Sequence, residues 1–311
     1  MKKIRLAVLM GGTSSERDIS LISGKEVVKA LNKDKYDIKV YDPATDLIKL
    51  AQDKDQIDVA FPVLHGPGGE DGTIQGFLEL LELPYVGSKV LASALAMDKE
   101  MTKKVYNQEG IPTPKSITLY KFDKINLDKI KVPCVVKPVS QGSSVGTSIV
   151  KSKDGLKKAI DEAFKFEDRI MVEDYIEGME ITVSILGNKK PIALPVIEII
   201  PPEGEFFNRQ VKYNGATQEI VPARLSKQLT KYAQDIGIKV HQVLGCRGFS
   251  RTDIIIQTSS SKLQTPNLYV LETNTIPGMT RESLFPKAAK AAGISFPKLL
   301  DRLIGLALDS K

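Results

Sequence analysis

Short apolar runs alternate with stretches of helical periodicity in the first third of the chain. Residues 4–10, 37–41 and 57–64 read as strands, and residues 20–31 and 73–81 read as helices. This alternation predicts a parallel sheet built from βαβ units. The stretch "SALAMDKEMTKKVYNQEG" is helical to Gly110, where "IPTP" stops it, and this marks a first boundary. Strand patterns follow at residues 116–120, 134–139 and 169–175, with a helix at 154–164 between the last two, so the middle of the chain reads as a small α+β layer. The remainder carries strand patterns at 181–186, 192–199, 248–257 and 268–273, and helices at 225–244 and near the C-terminus. Residues 201–222 form the longest segment without a pattern, and so long a loop in a compact enzyme is often a lid.

Composition narrows the function classes. A chain of 311 residues exceeds one ordinary core and suits two or three domains. Tryptophan is absent and aromatics make up only 6%, which argues against stacking platforms for sugars or RNA. The net charge of +6 is spread over scattered lysines, so it reads as an ordinary basic surface or a weak field for anionic ligands, and nucleic acid ranks low. Cys134 and Cys246 lie in apolar surroundings without metal-ligand spacing and read as buried thiols of a reducing compartment. The opening "MKKIRLAVLMGG" has a charged head like a signal peptide, but its apolar run is short and it reads as a first strand. With no apolar segment near the roughly 20 residues needed to cross a bilayer, the expected location is the cytoplasm, away from membrane.

Four stretches carry candidate chemistry. "LMGGTSSERDIS" joins a strand to a helix and reads as a tight turn or a phosphate site; its Glu16, near a strand's carboxyl end, suits a cationic ammonium partner. "CVVKPVSQGSSVGTSIV" places Lys137 at the end of an apolar strand before a hairpin of small residues, which either closes over a triphosphate or is a solvated hairpin. In "LHGPGGEDGT", His65 sits between a strand end and four glycines, where a structural and a catalytic role are both open. In "VLETNTIPGMT", Glu272 and Asn274 stand two apart and face one side of a strand, and "FSRTDIII" repeats the spacing with Arg251 and Asp253. If the two strands pair, one face gathers two carboxylates, an amide oxygen and an arginine, a set suited to Mg²⁺ and substrate phosphates. The alternative is a salt bridge on a solvated face, and the apolar neighbours Val270, Leu271 and Ile254 weigh against it. The turn "IPGMTRES" then offers backbone N–H groups to a developing oxyanion. His241 reads as a helix residue, and Lys212 in "VKYNG" as a lysine that either reaches phosphate or is solvated.

Taken together, the sequence closely resembles the D-alanine–D-alanine ligases of the ATP-grasp superfamily. "GGTSSERDISLISG", "HGPGGEDGTIQGFLELLELPYVGS", "ASALAMDK", "VVKPVSQGSSVG", "VEDYIEGMEITVSILG", "SRTDI" and "ETNTIPGMTRESLFPKAA" follow in the family's order over nearly the whole chain. The resemblance implies an α/β ATP-grasp fold with an N-terminal parallel-sheet domain at 1–95, a central subdomain at 96–178 and a C-terminal subdomain at 179–311. It implies ATP and two Mg²⁺ ions, with Mn²⁺ as a substitute, D-alanine as substrate, a homodimer, and a role in peptidoglycan precursor synthesis. Position by position, Lys99, Lys137 and Lys212 resemble phosphate ligands, Glu173 and the Ile176 backbone adenine contacts, and Glu180 the ribose ligand. Asp253, Glu272 and Asn274 match Mg²⁺ ligands. Glu16 matches the residue that binds the first D-alanine's ammonium, with Ser143 and Tyr213 hydrogen-bonded to it and His65 beside that substrate. Arg251 and the Gly278 backbone match oxyanion stabilisers, and Ser283 and Leu284 hold the second substrate's carboxylate. The implied chemistry is phosphorylation of one carboxylate and attack by the second amine on the acyl phosphate. One departure stands out: "FFNRQVKY" has no carboxylate before Lys212 where the family has a Tyr- and acid-rich run. Tyr213 itself resembles the dipeptide-forming members. Ligation to D-lactate or D-serine is the alternative enzyme reading, and a non-catalytic nucleotide-binding or nucleic-acid-binding protein is the reading from another class.

Overall fold

Three sheets divide the work of positioning the site. In the computed structural model, which describes residues 2–202, 217–257 and 267–309, strands β1 (Ile4–Leu9), β2 (Tyr36–Tyr41) and β3 (Val59–Pro62) pair in parallel in the order β2-β1-β3. Parallel neighbours need crossovers, supplied by α1 (Arg17–Ala30) after β1 and α2 (Leu47–Gln52) after β2. Both faces of β1 are covered, so it is apolar throughout: Leu6 and Val8 enter one core while Ala7 and Leu9 enter another. The second of these cores also holds Ile74 and Leu78 of α3 (Thr73–Leu80).

The helix expected to continue to Gly110 is two helices, α4 (Val90–Met97) and α5 (Lys99–Gln108). Asp98 breaks it by leaving the helical region, with ψ of 98°, and its side chain caps α5 by accepting from the Met101 N–H at 2.9 Å. The break puts Lys99 at the first position of α5.

The second sheet is antiparallel in the order β4-β7-β5-β6, from β4 (Ser116–Tyr120), β5 (Cys134–Pro138), β6 (Ser148–Val150) and β7 (Arg169–Asp174). One face packs Cys134, Val136, Ile170 and Val172 against Leu156 and Ile160 of α6 (Leu156–Ala163). The period of two then turns Lys137 and Glu173 to the opposite face.

The third sheet runs β11-β10-β8-β12-β13, from β8 (Gly178–Leu186), β10 (Ile197–Ile200), β11 (Gln218–Ile220), β12 (Phe249–Gln257) and β13 (Leu268–Asn274), with β9 (Ile192–Ala193) also on β8. Two expectations change here. The strand expected at 192–199 is split, because Pro195 between β9 and β10 can donate no ladder hydrogen bond. The segment expected to be patternless at 201–222 contains β11, paired antiparallel with β10. One face of the sheet packs Ile181, Val183 and Ile185 on Ala233, Ile236 and Val240 of α7 (Lys227–Val243).

Helices α8 (Leu284–Ala291) and α9 (Phe296–Leu308) return to the first sheet. Leu299, Leu300, Leu303 and Ile304 share a core with Leu6, Val8, Val27 and Phe61, and Tyr36 donates to Asp301 at 2.5 Å. Burial of each such leucine contributes roughly 1.5–3 kcal/mol, so the chain's end clamps its beginning. Tyr106 of α5 is bonded to Thr273 of β13 at 2.8 Å, which ties the linker helix to the third sheet. Among the described residues no helix is long and apolar enough to cross a membrane. Cys134 and Cys246 are free and buried, and burial pushes the Cys246 thiol up to about 12.

Candidate active site

Two cavities open between these sheets. One of about 610 Å³ lies between the second and third sheets and is lined by Lys99, Lys137, Glu173, Ile176, Glu180, Asp253 and Glu272, among others. Its neighbour, of about 530 Å³, is bordered by Glu16, His65, Ser143, Arg251, Glu272, Asn274, Gly278, Ser283 and Leu284. Every described residue singled out from the sequence as a site candidate therefore borders one of the two. Lys99, Gln141 and Glu272 border both. Lys212 and Tyr213 lie outside the described residues, as does the acid-free run before them.

The strand pairing inferred from spacing is present. β12 and β13 are antiparallel neighbours with Arg251 opposite Asn274 and Asp253 opposite Glu272, and the register shifts by a bulge just after Asp253. Both carboxylates have cationic partners. Arg251 holds Asp253 through two hydrogen bonds of 3.0 and 2.8 Å, Thr182 donates to Asp253 at 2.7 Å, and Lys99 stands 3.6 Å from Glu272. The salt bridge weighed against metal binding thus exists, but on a buried face: Arg251 is 8% exposed and Asp253 5%. Among the described residues no three His, Cys, Asp or Glu side chains gather into a metal cage. The donor set is two carboxylates and one amide oxygen, which fits Mg²⁺ completed by phosphate and water better than a metal held by protein alone.

On the second sheet, Lys137 and Glu173 sit on neighbouring strands at diagonal positions and meet at 2.6 Å. Lys103 approaches the other oxygen of Glu173 at 2.9 Å and also donates to Thr113 at 2.9 Å and to the Pro114 carbonyl at 2.8 Å. Burial alone would raise the Glu173 carboxyl, but Lys137 and Lys103 override it and hold the group below the usual range. Lys103 was missed in the sequence, although it lies one helical turn from Lys99 and so on the same face of α5. Glu198, 2% exposed and paired with Arg224 at 2.5 Å, also borders the larger cavity and was missed.

The two Gly-rich stretches differ in use. The first is a tight βα turn tied to itself and to the end of β2: Gly12 N–H donates to Asp42 at 2.9 Å, Gly11 N–H to Ser20 at 2.8 Å, and Arg17 spans Asp42 and the Gly12 carbonyl. From this turn Glu16 borders the smaller cavity. In the second stretch, Ser143 and Ser144 adopt φ of 48° and 58°, a left-handed backbone that costs energy in non-glycine residues. That turn brings Ser143 Oγ to donate to Glu16 Oε2, while Gln141 accepts from Lys99 at 2.7 Å. Gly142 and Gly66 let backbone come close: a Cβ added to them would stand 2.6 and 3.0 Å from Glu16 Oε1.

His65 is buried with no hydrogen-bond partner for Nε2 among the described residues. Burial, with Arg251 nearby, lowers it to about 4, so the ring is neutral near pH 7. Glu70, five residues on in the same Gly-rich loop, was also missed; burial and the Glu16 charge push it up to about 8. At the far side Ser283 occupies the N-cap position of α8, and its hydroxyl is bonded to Thr280 Oγ1 at 2.8 Å instead of capping the helix. The α8 N-terminus, which borders the cavity through Ser283 and Leu284, is a natural place for a carboxylate.

Comparisons with known proteins agree with this arrangement. A family model described as D-ala D-ala ligase C-terminus matches residues 105–305, and the corresponding N-terminus model matches residues 5–48 and 42–88. This chain belongs to the D-alanine–D-alanine ligase family. The D-alanine–D-alanine ligase of Syntrophobacter fumaroxidans is 49% identical, with 99% of each chain covered. Among solved structures, the D-alanine–D-alanine ligase of Bacillus anthracis complexed with ATP superposes with a TM-score of 0.85 at 39% identity, covering 98% of both chains. The VanG D-Ala:D-Ser ligase of Enterococcus faecalis reaches 0.84 at 32% identity, over 98% of this chain and 100% of that one. In this ligase-family chain, as the sequence implied, an N-terminal parallel sheet precedes two antiparallel sheets that enclose the larger cavity.

Proposed function

We infer that this protein is an ATP-dependent ligase that joins two D-alanines into D-alanyl-D-alanine, for peptidoglycan precursor synthesis. The observation that carries the reading is the junction of the two cavities at Lys99, Gln141 and Glu272, where a phosphoryl group can pass from nucleotide to amino acid without leaving the protein. ATP takes the larger cavity, with Glu173 and the Ile176 backbone toward adenine, Glu180 toward ribose and Lys99, Lys137 and Lys212 toward the phosphates. Asp253, Glu272 and Asn274 are the residues to hold Mg²⁺, or Mn²⁺ in its place. The metal supplies charge neutralisation on the phosphates.

The chain's own part is positioning. Glu16 holds the first D-alanine's ammonium, supported by Ser143 and Tyr213, and His65 lies beside that substrate. The carboxylate oxygen attacks the γ-phosphorus and ADP leaves. The second D-alanine, its carboxylate at Ser283 and Leu284, attacks the acyl carbon through its amine, and phosphate leaves. Arg251 and the Gly278 N–H stabilise the oxyanion formed in that attack. The reading divides the chain at about residues 95 and 178, and places the enzyme as a homodimer in the cytoplasm.

Product analysis tests the function. With ATP and Mg²⁺, D-alanine alone should yield D-alanyl-D-alanine. If phosphate release and a new product require added D-serine or D-lactate, the dipeptide assignment is wrong.

A further inference from the structure

Glu70 stands in the smaller cavity with one oxygen used and one idle. Its Oε2 accepts from the Gly66 N–H at 2.7 Å. Its Oε1 is shielded from water and has no hydrogen-bond partner among the described residues, although the side chain is only 7% exposed and borders the cavity. Leaving such an atom unsatisfied costs free energy. Gly66 also adjoins the other carboxylate, since a Cβ on it would stand 3.0 Å from Glu16 Oε1. Two carboxylates therefore flank one glycine at the end of the cavity where the substrate ammonium is expected, and the Glu16 charge raises the cost of ionising Glu70. The charged groups acting on Glu70 are Glu16, Glu272 and Arg251, with neutral His65 also bordering the cavity. An ammonium has three donors, and Glu16 already accepts from Ser143 through Oε2.

We propose that Glu70 is a second receptor for the ammonium of the first D-alanine, its free Oε1 completing with Glu16 a two-carboxylate cradle. The proposal deepens the ligase reading and rests on it. The cradle selects a cationic amine over a hydroxyl or hydrogen, because only the cation offsets the cost of ionising Glu70 beside Glu16. It also accounts for Gly66, whose N–H fixes Glu70 and whose missing side chain makes room for Glu16.

Glu70→Gln is the test, because an amide oxygen still accepts from the Gly66 N–H while the charge at the idle position is lost. The variant should raise the KM for D-alanine at the first site about tenfold, the loss of one charge-assisted hydrogen bond. The KM for ATP should stay within twofold. Propionate, which lacks the ammonium, should inhibit the variant and the parent with equal Ki. An unchanged KM for D-alanine overturns the proposal, and so does an equal weakening of D-alanine and propionate, which would mark a role only in loop structure. Calorimetric titration of D-alanine into Glu70→Asp, which keeps the charge, should show tighter binding than into Glu70→Gln; the reverse order also overturns it. Failure of the unmodified protein to release phosphate with D-alanine would count against the ligase reading, whereas the calorimetric comparison bears on the cradle alone.

Discussion

Replacing Gly142 by alanine should impair use of D-alanine without unfolding the enzyme. The added Cβ would stand 2.6 Å from Glu16 Oε1, against 3.4 Å for ordinary contact, so about 0.8 Å has to be absorbed. The backbone at Gly142 lies outside the left-handed region, so alanine is conformationally permitted there and the effect is steric. The atom struck is the tip of a side chain, which can move, but moving it pulls Glu16 from Ser143 and from the expected substrate nitrogen. Losing one charge-assisted hydrogen bond costs about 2 kcal/mol, which corresponds to roughly a 30-fold fall in kcat/KM for D-alanine. Steady-state phosphate release at varied D-alanine and varied ATP, with thermal unfolding alongside, measures it. The KM for ATP should be nearly unchanged, and Tm should shift by no more than a few degrees. A kcat/KM within twofold of the parent would refute the reasoning, since Glu16 would then not need its observed position.

Three further outcomes follow from the same geometry. Lys103→Met should raise the KM for ATP about tenfold, because it removes one of the two cations that hold Glu173 ionised in a buried setting; nucleotide titration checks this, and unchanged affinity would contradict it. Glu272→Gln should lose most turnover while Tm is retained, as a carboxylate at the cavity junction becomes neutral; near-normal turnover at ordinary Mg²⁺ would remove the metal role. His241, buried against Ser250 and lowered by burial to about 4, binds its proton more readily in the unfolded chain. Its contribution is fully present above the unfolded pKa near 6.5 and is lost as pH falls toward 4. Urea unfolding of His241→Gln should therefore show a shallower loss of stability from pH 7 to 5 than the parent, by up to about 2 kcal/mol; equal slopes would contradict it.

How much of this was legible in the sequence depended on the range of the contacts. The face shared by Glu272 and Asn274, and by Arg251 and Asp253, follows from the period of a strand, and pairing β12 with β13 completed it. The first sheet was equally readable, since crossover helices punctuate buried apolar strands. Lys137 with Glu173 was not readable as a pair, because it depends on the register between strands 36 residues apart. Nor was the return of α9 to the first sheet, which joins Tyr36 to Asp301 across 265 residues. Glu70 was hidden for a different reason. A glutamate among glycines reads as a solvated turn residue, and only the folded loop shows it buried with an idle oxygen. The Asp98 break was available in principle, since aspartate is a preferred N-cap, but apolar periodicity on both sides masked it.

The central claim is that the two cavities meet so that the amino-acid carboxylate itself takes the phosphoryl group. D-alanine carrying heavy oxygen in both carboxylate positions tests it most directly, with the released phosphate analysed by mass spectrometry. The account predicts one heavy oxygen in each phosphate released during dipeptide formation, because the oxygen that attacked phosphorus departs with it. Phosphate containing only ordinary oxygen, with dipeptide still formed, would contradict the account.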